Sequence, residues 1–249
     1  MSPVSSSSRL AGDALVRVAE GVWSVPGCDD EALSWRESLD APPPPPEPGT
    51  AGRGGARPVP LPGGGRGWLK AYRHGGLLRG LLGEVYWERP ERPLREASAI
   101  AAARTCGVLV PEVLAAIVLP LPPPLGRLYR AGLVTREIPA RRSLAEALRT
   151  TPGSAARAEI VGRCWDVMRR LHDGGVRHRD ANATNFLVGE PADDVALIDF
   201  DGAVVGDGPV GERGRLFARR RLARSVAKLG LPGLDRRGVK AILDARDSR

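Results

Sequence analysis

The stretch His178-Arg179-Asp180-Ala181-Asn182-Ala183-Thr184-Asn185, followed by Leu197-Ile198-Asp199-Phe200-Asp201, limits what this chain can be more than any other feature. An Asp, an Asn further along the same turn and a second Asp after an apolar run form a recurring set for phosphoryl transfer. The chemistry needs these residue types. A carboxylate must receive the proton of the attacking hydroxyl, and hard oxygen ligands must hold the cation that neutralises the phosphates. Asp180 is the candidate catalytic base, and Asn185 and Asp199 are the candidate Mg²⁺ ligands. Residues 186–188 and 195–198 read as two short strands joined by a polar loop, a hairpin that returns Asp199 to Asn185. The competing reading is a pair of surface loops rich in Asp and Asn.

Charge narrows the partners. The 249 residues carry a net charge of +8, with a pI of about 10.2. That balance suits a nucleic acid, an anionic membrane or a phosphorylated substrate. No nucleic-acid motif or aromatic–basic interleaving is visible, and aromatics at 4% leave few stacking platforms, so no nucleic-acid partner is expected. Lysine occurs only at Lys70, Lys228 and Lys240, which singles out each of them. Arg213, Arg215, Arg219, Arg220, Arg221 and Arg224 form a cluster suited to lipid phosphates, or a solvated helix face. Cys28, Cys106 and Cys164 form no C-x-x-C pair and read as buried or free thiols of a reducing compartment. No zinc-ligand spacing is present. Residues 1–10 are Ser-rich without an apolar core, so no signal peptide is expected. The most apolar run, 113–125, is interrupted by Pro120, Pro122, Pro123 and Pro124 and is too short to span a bilayer. The expected location is the cytoplasm, peripheral on the cytoplasmic face of a membrane.

Along the chain, residues 14–25 read as an opening strand pair, and 68–72, 113–119 and 128–138 as further strands. Residues 41–62 form a Pro/Gly-rich insert expected to be disordered. Residues 94–106 have helical character. Later, Ser143-Leu144-Ala145-Glu146 is a capping box. Residues 155–172 place Ile160, Cys164, Val167, Met168 and Leu171 on one helical face, and 212–229 and 235–247 are also helical. The expected class is α+β with two lobes: a small β-rich N-lobe over 1–138 and a helical C-lobe over 139–249, with nucleotide between them. Lys70 is the candidate phosphate contact and Glu96 its partner, with Arg73 as competitor; a solvated Lys and an ordinary helix Glu are the bland alternative. Gly65 and Gly67, in Gly63-Gly64-Gly65-Arg66-Gly67, are candidate backbone contacts to phosphate. His178 is expected to support its loop rather than react, and His172 to be structural.

Taken in order, W-L-K-A-Y-R-H-G-G at 68–76, Arg95-Glu96, L-V-T-R-E-I-P at 133–139, H-R-D-A-N-A-T-N-F-L with L-I-D-F-D, and L-A-R-S-V-A-K at 222–228 resemble the bacterial lipopolysaccharide kinase family. The similarity covers roughly residues 63–230. It implies a eukaryotic-protein-kinase-like fold, ATP and Mg²⁺. It also implies transfer to a sugar hydroxyl of a lipopolysaccharide precursor, the 4-hydroxyl of the 3-deoxy-D-manno-octulosonic acid (Kdo) on lipid A, at the inner membrane. By matched position Asp180 would be the base, Asn185 and Asp199 the metal ligands, Lys70 the phosphate contact and Glu96 its partner. The chain departs from the family pattern at Ala181, where Leu is usual, in its Pro/Gly-rich insert, and at Lys70, where Arg is expected. No A-P-E follows Asp201, and 48 residues remain, which suits a small hydroxylated acceptor better than a peptide. Two alternatives stay open: an aminoglycoside-type or heptose phosphotransferase, and a catalytically silent kinase-like binding module.

Overall fold

Residues 113–118, Val-Leu-Ala-Ala-Ile-Val, are apolar without alternation, the pattern of a strand covered on both faces. The computed structural model describes residues 15–39, 56–72, 86–87, 92–121, 128–190 and 194–248. There the run is β6 (Val113–Pro120), buried along most of its length. The other strands of its sheet are β1 (Val16–Ala19), β2 (Val22–Ser24), β3 (Ala56–Pro60), β4 (Arg66–Ala71), β5 (Tyr86–Trp87) and β7 (Leu128–Arg136). All pairs are antiparallel, in the order β1-β2-β6-β7-β4-β3, with β5 also pairing β7. Contacts divide the described chain into two units, 15–101 with 112–137 and 102–111 with 138–248. This sheet belongs to the first.

Helix α1 (Asp29–Ser38) places Ala32 and Trp35 in the core, with Val22, Leu69, Leu114, Ile117 and Val134. Sequence reading misses this helix because two buried positions over ten residues make a weak apolar stripe. Asp29, Asp30 and Glu31 fill its first turn, where negative charge suits the helix dipole.

The expected disordered insert is corrected at its end. Residues 56–60 form β3, in register with β4 from Ala56↔Lys70 to Pro60↔Arg66. Arg57 and Val59 are buried. Pro58 and Pro60, which argue against a strand, are tolerated because β3 ends the strand order, where a missing N–H leaves no ladder bond unmade. The rest of the tract, 40–55, lies outside the described residues, as do Arg73 and Pro122, Pro123 and Pro124. The β3–β4 turn runs through Gly63, Gly64 and Gly65, all at positive φ, which is costly for any other residue type. At Gly67 a Cβ would lie 2.8 Å from Leu61 Cδ2 and 3.1 Å from Val59 Cγ2, so a larger residue there would have to displace both side chains.

Helix α2 (Arg92–Thr105) follows β5. The second unit is mainly helical, with α3 (Leu144–Thr150), α4 (Ser154–Asp173), α5 (Glu212–Ala227) and α6 (Arg236–Asp247). Ser143 Oγ accepts the Glu146 N–H, as the capping box predicts. The α4 face expected from periodicity is buried, with Val161 and Trp165 added. Trp165 Nε1 donates to Asp247 Oδ1 at 2.7 Å, and Arg246 pairs with Glu159 and Asp166, tying α6 to α4. Two small sheets complete the unit: β8 (Arg142–Ser143), β10 (Phe186–Val188) and β11 (Val195–Leu197) with β10 in the middle, and β9 (Val176–Arg177) beside β12 (Val204–Val205). All three cysteines are free thiols. No described helix is long and apolar enough to cross a membrane.

His172 is fully buried near the end of α4, edge-on to Trp165, and neither ring nitrogen has a hydrogen-bond partner among the described residues. Burial, reinforced by Arg215, pushes its pKa down to about 4. The folded state therefore holds it neutral while the unfolded chain protonates it near 6.5. This contribution to stability is complete above pH 6.5 and is lost as pH falls towards 4. Urea unfolding at pH 7 and pH 4.5 will show a fall in midpoint that His172→Leu reduces. His178, also lowered by burial, leaves part of the fall in place.

Candidate active site

Strand β4 alternates, with Gly67, Leu69 and Ala71 buried and Trp68 and Lys70 half-buried on the other face. Glu96 lies in the second turn of α2 and is buried. A carboxylate there needs partners. Lys70 Nζ meets both its oxygens, at 3.0 and 3.1 Å, and Tyr72 Oη donates to Oε2. The Lys70–Glu96 pairing expected from sequence is present. Tyr72 is the member that sequence reading misses. It lies two positions beyond Lys70 on one strand face, and its ring also takes the Arg92 guanidinium at 4.8 Å and the Lys70 ammonium at 5.2 Å.

In the second unit the candidate acid–base and ligand residues are joined through the backbone. Asn185 is buried, and its Nδ2 donates to the Asp180 carbonyl at 2.9 Å. Ile198 N–H donates to the Asn185 carbonyl at 2.9 Å as the β10–β11 hairpin closes. These bonds bring 180, 185 and 198–199 into one turn, as the hairpin reading requires. With its NH₂ group held by a carbonyl, the Asn185 amide presents its oxygen, which accepts a long bond of 3.4 Å from the neighbouring Thr184 Oγ1 and has a second lone pair for another partner. Asp199 has φ 63°, a left-handed conformation unusual outside glycine and tolerated by Asp. Such positions cluster where function, not local preference, sets the backbone.

His178 has the supporting role expected of it. Its Nε2 faces the Ile198 carbonyl at 3.1 Å, and Nδ1 accepts the Asp180 N–H at 3.2 Å. The partners assign the proton to Nε2. Burial lowers its pKa, so the ring is neutral, and it sits edge-on to Phe200 at 4.9 Å.

Two further residues come from α5. Arg221 Nε donates to Asp180 Oδ1 at 2.7 Å, and Ser225 Oγ accepts the Ala183 N–H at 2.9 Å. The i, i+4 spacing puts both on one face of the helix, a signal visible in the sequence. What they face was not visible. The Arg cluster is corrected accordingly: Arg221 is engaged with Asp180, Arg219 with Asp244 and Asp247, and Arg215 with Asp173.

Gly65 lies in the β3–β4 turn and Gly67 in β4, both in the first unit with Lys70 and Glu96. Among the described residues no three His, Cys, Asp or Glu side chains gather as a metal site. An amide oxygen and a carboxylate, Asn185 and Asp199, are the donors on offer, and hard oxygen donors fit Mg²⁺.

Fold and motif define a phosphotransferase, and the family model described as "Lipopolysaccharide kinase (Kdo/WaaP) family" matches residues 52–240: the chain belongs to that family. It is 33% identical over 183 residues to a 3-deoxy-D-manno-octulosonic acid kinase of Vibrio cholerae, covering 72% of each chain. It is 30% identical over 167 residues to the enzyme of that name in Vibrio vulnificus, covering 64% of this chain and 67% of the relative. A solved structure, "WaaP in complex with acyl carrier protein", superposes with a TM-score of 0.57 at 21% identity, over 87% of this chain and 82% of the other. It shares the fold. The α+β class and kinase-like fold expected from the sequence are those found. The protein is an enzyme that transfers phosphate to a hydroxyl group, a lipopolysaccharide kinase.

Replacing Lys70 with Ala removes the ammonium that meets both oxygens of the buried Glu96 carboxylate. Because Lys70 is partly exposed, the expected loss of stability is moderate, about 1–3 kcal/mol. Urea titration should show that Glu96→Leu added to Lys70→Ala recovers part of it, since the stranded charge is then gone.

Proposed function

We propose that the protein transfers the γ-phosphate of ATP to a Kdo hydroxyl on a lipid A precursor, at the 4-hydroxyl. The observation that carries the reaction type is the single turn uniting Asp180, Asn185 and Asp199 through the Asn185 Nδ2–Asp180 carbonyl and Ile198 N–H–Asn185 carbonyl bonds. The acceptor reading is supported by the relatives in Vibrio cholerae and Vibrio vulnificus, both Kdo kinases by name.

Asp180 is the base. Arg221 holds Oδ1, and no hydrogen bond among the described residues reaches Oδ2, which receives the acceptor proton. Loop 178–185 is held rigid by neutral His178 and by Ser225, so the carboxylate needs little reorganisation. Asn185 Oδ1 and the Asp199 carboxylate would hold Mg²⁺, which would neutralise phosphate charge. Lys70, steadied by Glu96 and Tyr72, would contact the nucleotide phosphates, and Gly65 and Gly67 in the Gly63–Gly67 segment would offer them backbone N–H groups. The acceptor is an anionic glycolipid, so the enzyme works at the cytoplasmic face of the inner membrane.

Asp180→Asn should lower kcat about 10²–10⁴-fold with nucleotide affinity nearly unchanged, since only the base is lost. Arg221→Ala should lower kcat up to about 10²-fold through misorientation of Asp180, and Arg221→Lys should restore part of it. Single-turnover rates and nucleotide titration separate the two effects; a wild-type rate in Asp180→Asn removes it from the mechanism. Asp199→Ala should abolish the Mg²⁺ dependence of nucleotide binding.

The acceptor is tested by offering labelled ATP with Kdo-lipid A, with lipid A lacking Kdo, and with an aminoglycoside. Label on the first alone supports the reading. Label confined to the aminoglycoside or to lipid lacking Kdo refutes the acceptor and keeps the phosphotransferase.

A further inference from the structure

Ion pairing is widespread on the second unit, and it leaves a pattern. Arg215, Arg219, Arg221 and Arg246 all have carboxylate partners. Arg220, Arg224, Arg236 and Lys240 have none among the described residues. These four cations line one groove of about 410 Å³ between α5 and α6, with Leu216, Ala223 and Leu243 as its apolar lining and Asp244, engaged by Arg219, as its one carboxylate. Four cations against a single carboxylate that is already paired leave the groove with excess positive charge, and that excess calls for an anionic partner.

A second observation defines that partner. Leu216 is 42% exposed and Phe217 54% exposed, on α5 beside the groove. Helical spacing puts Phe217 on one stripe with exposed Arg213, Arg220 and Arg224, at i−4, i+3 and i+7. The cationic stripe runs about 16 Å along the helix, with the two apolar side chains between its charges. Free phosphate accounts for the cations and leaves exposed Leu and Phe unexplained. An acidic protein would need a larger apolar centre than two side chains, since stable interfaces bury about 800 Å² on each partner. A lipid surface needs only a few inserted apolar groups flanked by cations on anionic headgroups.

We propose that the α5–α6 face, with Arg213, Arg220, Arg224, Arg236 and Lys240 around Leu216 and Phe217, docks on a bilayer carrying anionic phosphate headgroups. The membrane location of the acceptor, part of the functional reading above, is the premise this deepens. Arg221, on the same helix, is held by Asp180 and takes no part in docking. Residues 221 and 225 lie about 40° and 80° around the helix from Phe217, on the side away from Leu216 and Arg220, so the edge of α5 that serves the catalytic loop adjoins the edge offered to lipid.

The test is sedimentation of the full chain with vesicles of phosphatidylcholine, alone or mixed with phosphatidylglycerol. Binding should require phosphatidylglycerol and weaken with salt. Each of Arg220→Gln, Arg224→Gln, Arg236→Gln and Lys240→Gln should weaken it roughly fivefold. Leu216→Ser with Phe217→Ser should weaken it even at low salt, where charge attraction is strongest. Thermal melts confirm that these surface variants fold. Wild-type binding by the fourfold Gln variant, or equal binding to neutral vesicles, overturns the proposal. Release by inorganic phosphate at matched ionic strength, or tighter binding to soluble poly-glutamate than to vesicles, also overturns it, pointing to a phosphate or an acidic protein instead. Phosphotransfer to detergent-dispersed acceptor, measured on the same variants, separates the two readings. If it stays at the wild-type rate while vesicle binding is unaffected by every substitution, docking fails and the function stands. If vesicle binding follows the substitutions while no sugar acceptor is labelled, the function fails and the docking face stands.

Discussion

The imidazole of His178 joins two segments that must be held together before any chemistry is possible. Through Nδ1 it holds the Asp180 N–H, and through Nε2 the carbonyl of Ile198, just ahead of Asp199. A protonated ring could not accept the first bond, and a ring of the other tautomer would lose both. Burial is what keeps it neutral and in place. Burial brings a cost elsewhere, since His172 is enclosed with no hydrogen-bond partner for its ring among the described residues and resists protonation in the folded state. The second unit thus contains two histidines with one environment and different uses: one closes the loop by hydrogen bonds, the other fills core space beside Trp165.

Electrostatics are organised by local pairing more than by net charge. A composition of +8 suggests a diffusely cationic surface, yet on α5 and α6 Arg215, Arg219, Arg221 and Arg246 are each matched to nearby carboxylates. Exposed pairs of this kind contribute little to stability, commonly below about 1 kcal/mol each. Their consequence is to define where positive charge remains. The partly buried Arg221–Asp180 contact differs in kind: it fixes one oxygen of a functional carboxylate in a loop that α5 also supports through Ser225. In the first unit the Lys70–Glu96–Tyr72 group follows the same logic, an inward carboxylate made tolerable by donors on the neighbouring strand.

Much of the architecture follows from local pattern. Strands at 113–120 and 128–136, the helix at 154–173, the Ser143 cap and the 186–197 hairpin are all legible, because apolar periodicity and capping chemistry act over a few residues. The misreadings have equally local causes. A Pro/Gly-rich composition hides β3, which exists because β4 offers it a paired edge. Helix α1 has too narrow an apolar stripe to stand out and is stabilised by a sheet it cannot announce.

Among the candidate site residues, the types and spacing of Asp180, Asn185 and Asp199 can be read along the chain, since the proposed reaction calls for those oxygens in that order. Lys70 stands out through the rarity of lysine. Tertiary structure alone decides which arginine of six reaches Asp180, that Tyr72 joins Glu96, and that four cations between α5 and α6 have no carboxylate partner among the described residues. The physical reason is the range of the forces. Helix and strand preferences and turn chemistry are settled within a few residues of sequence, whereas an ion pair or a buried hydrogen bond depends on which distant side chain folding brings within about 3 Å.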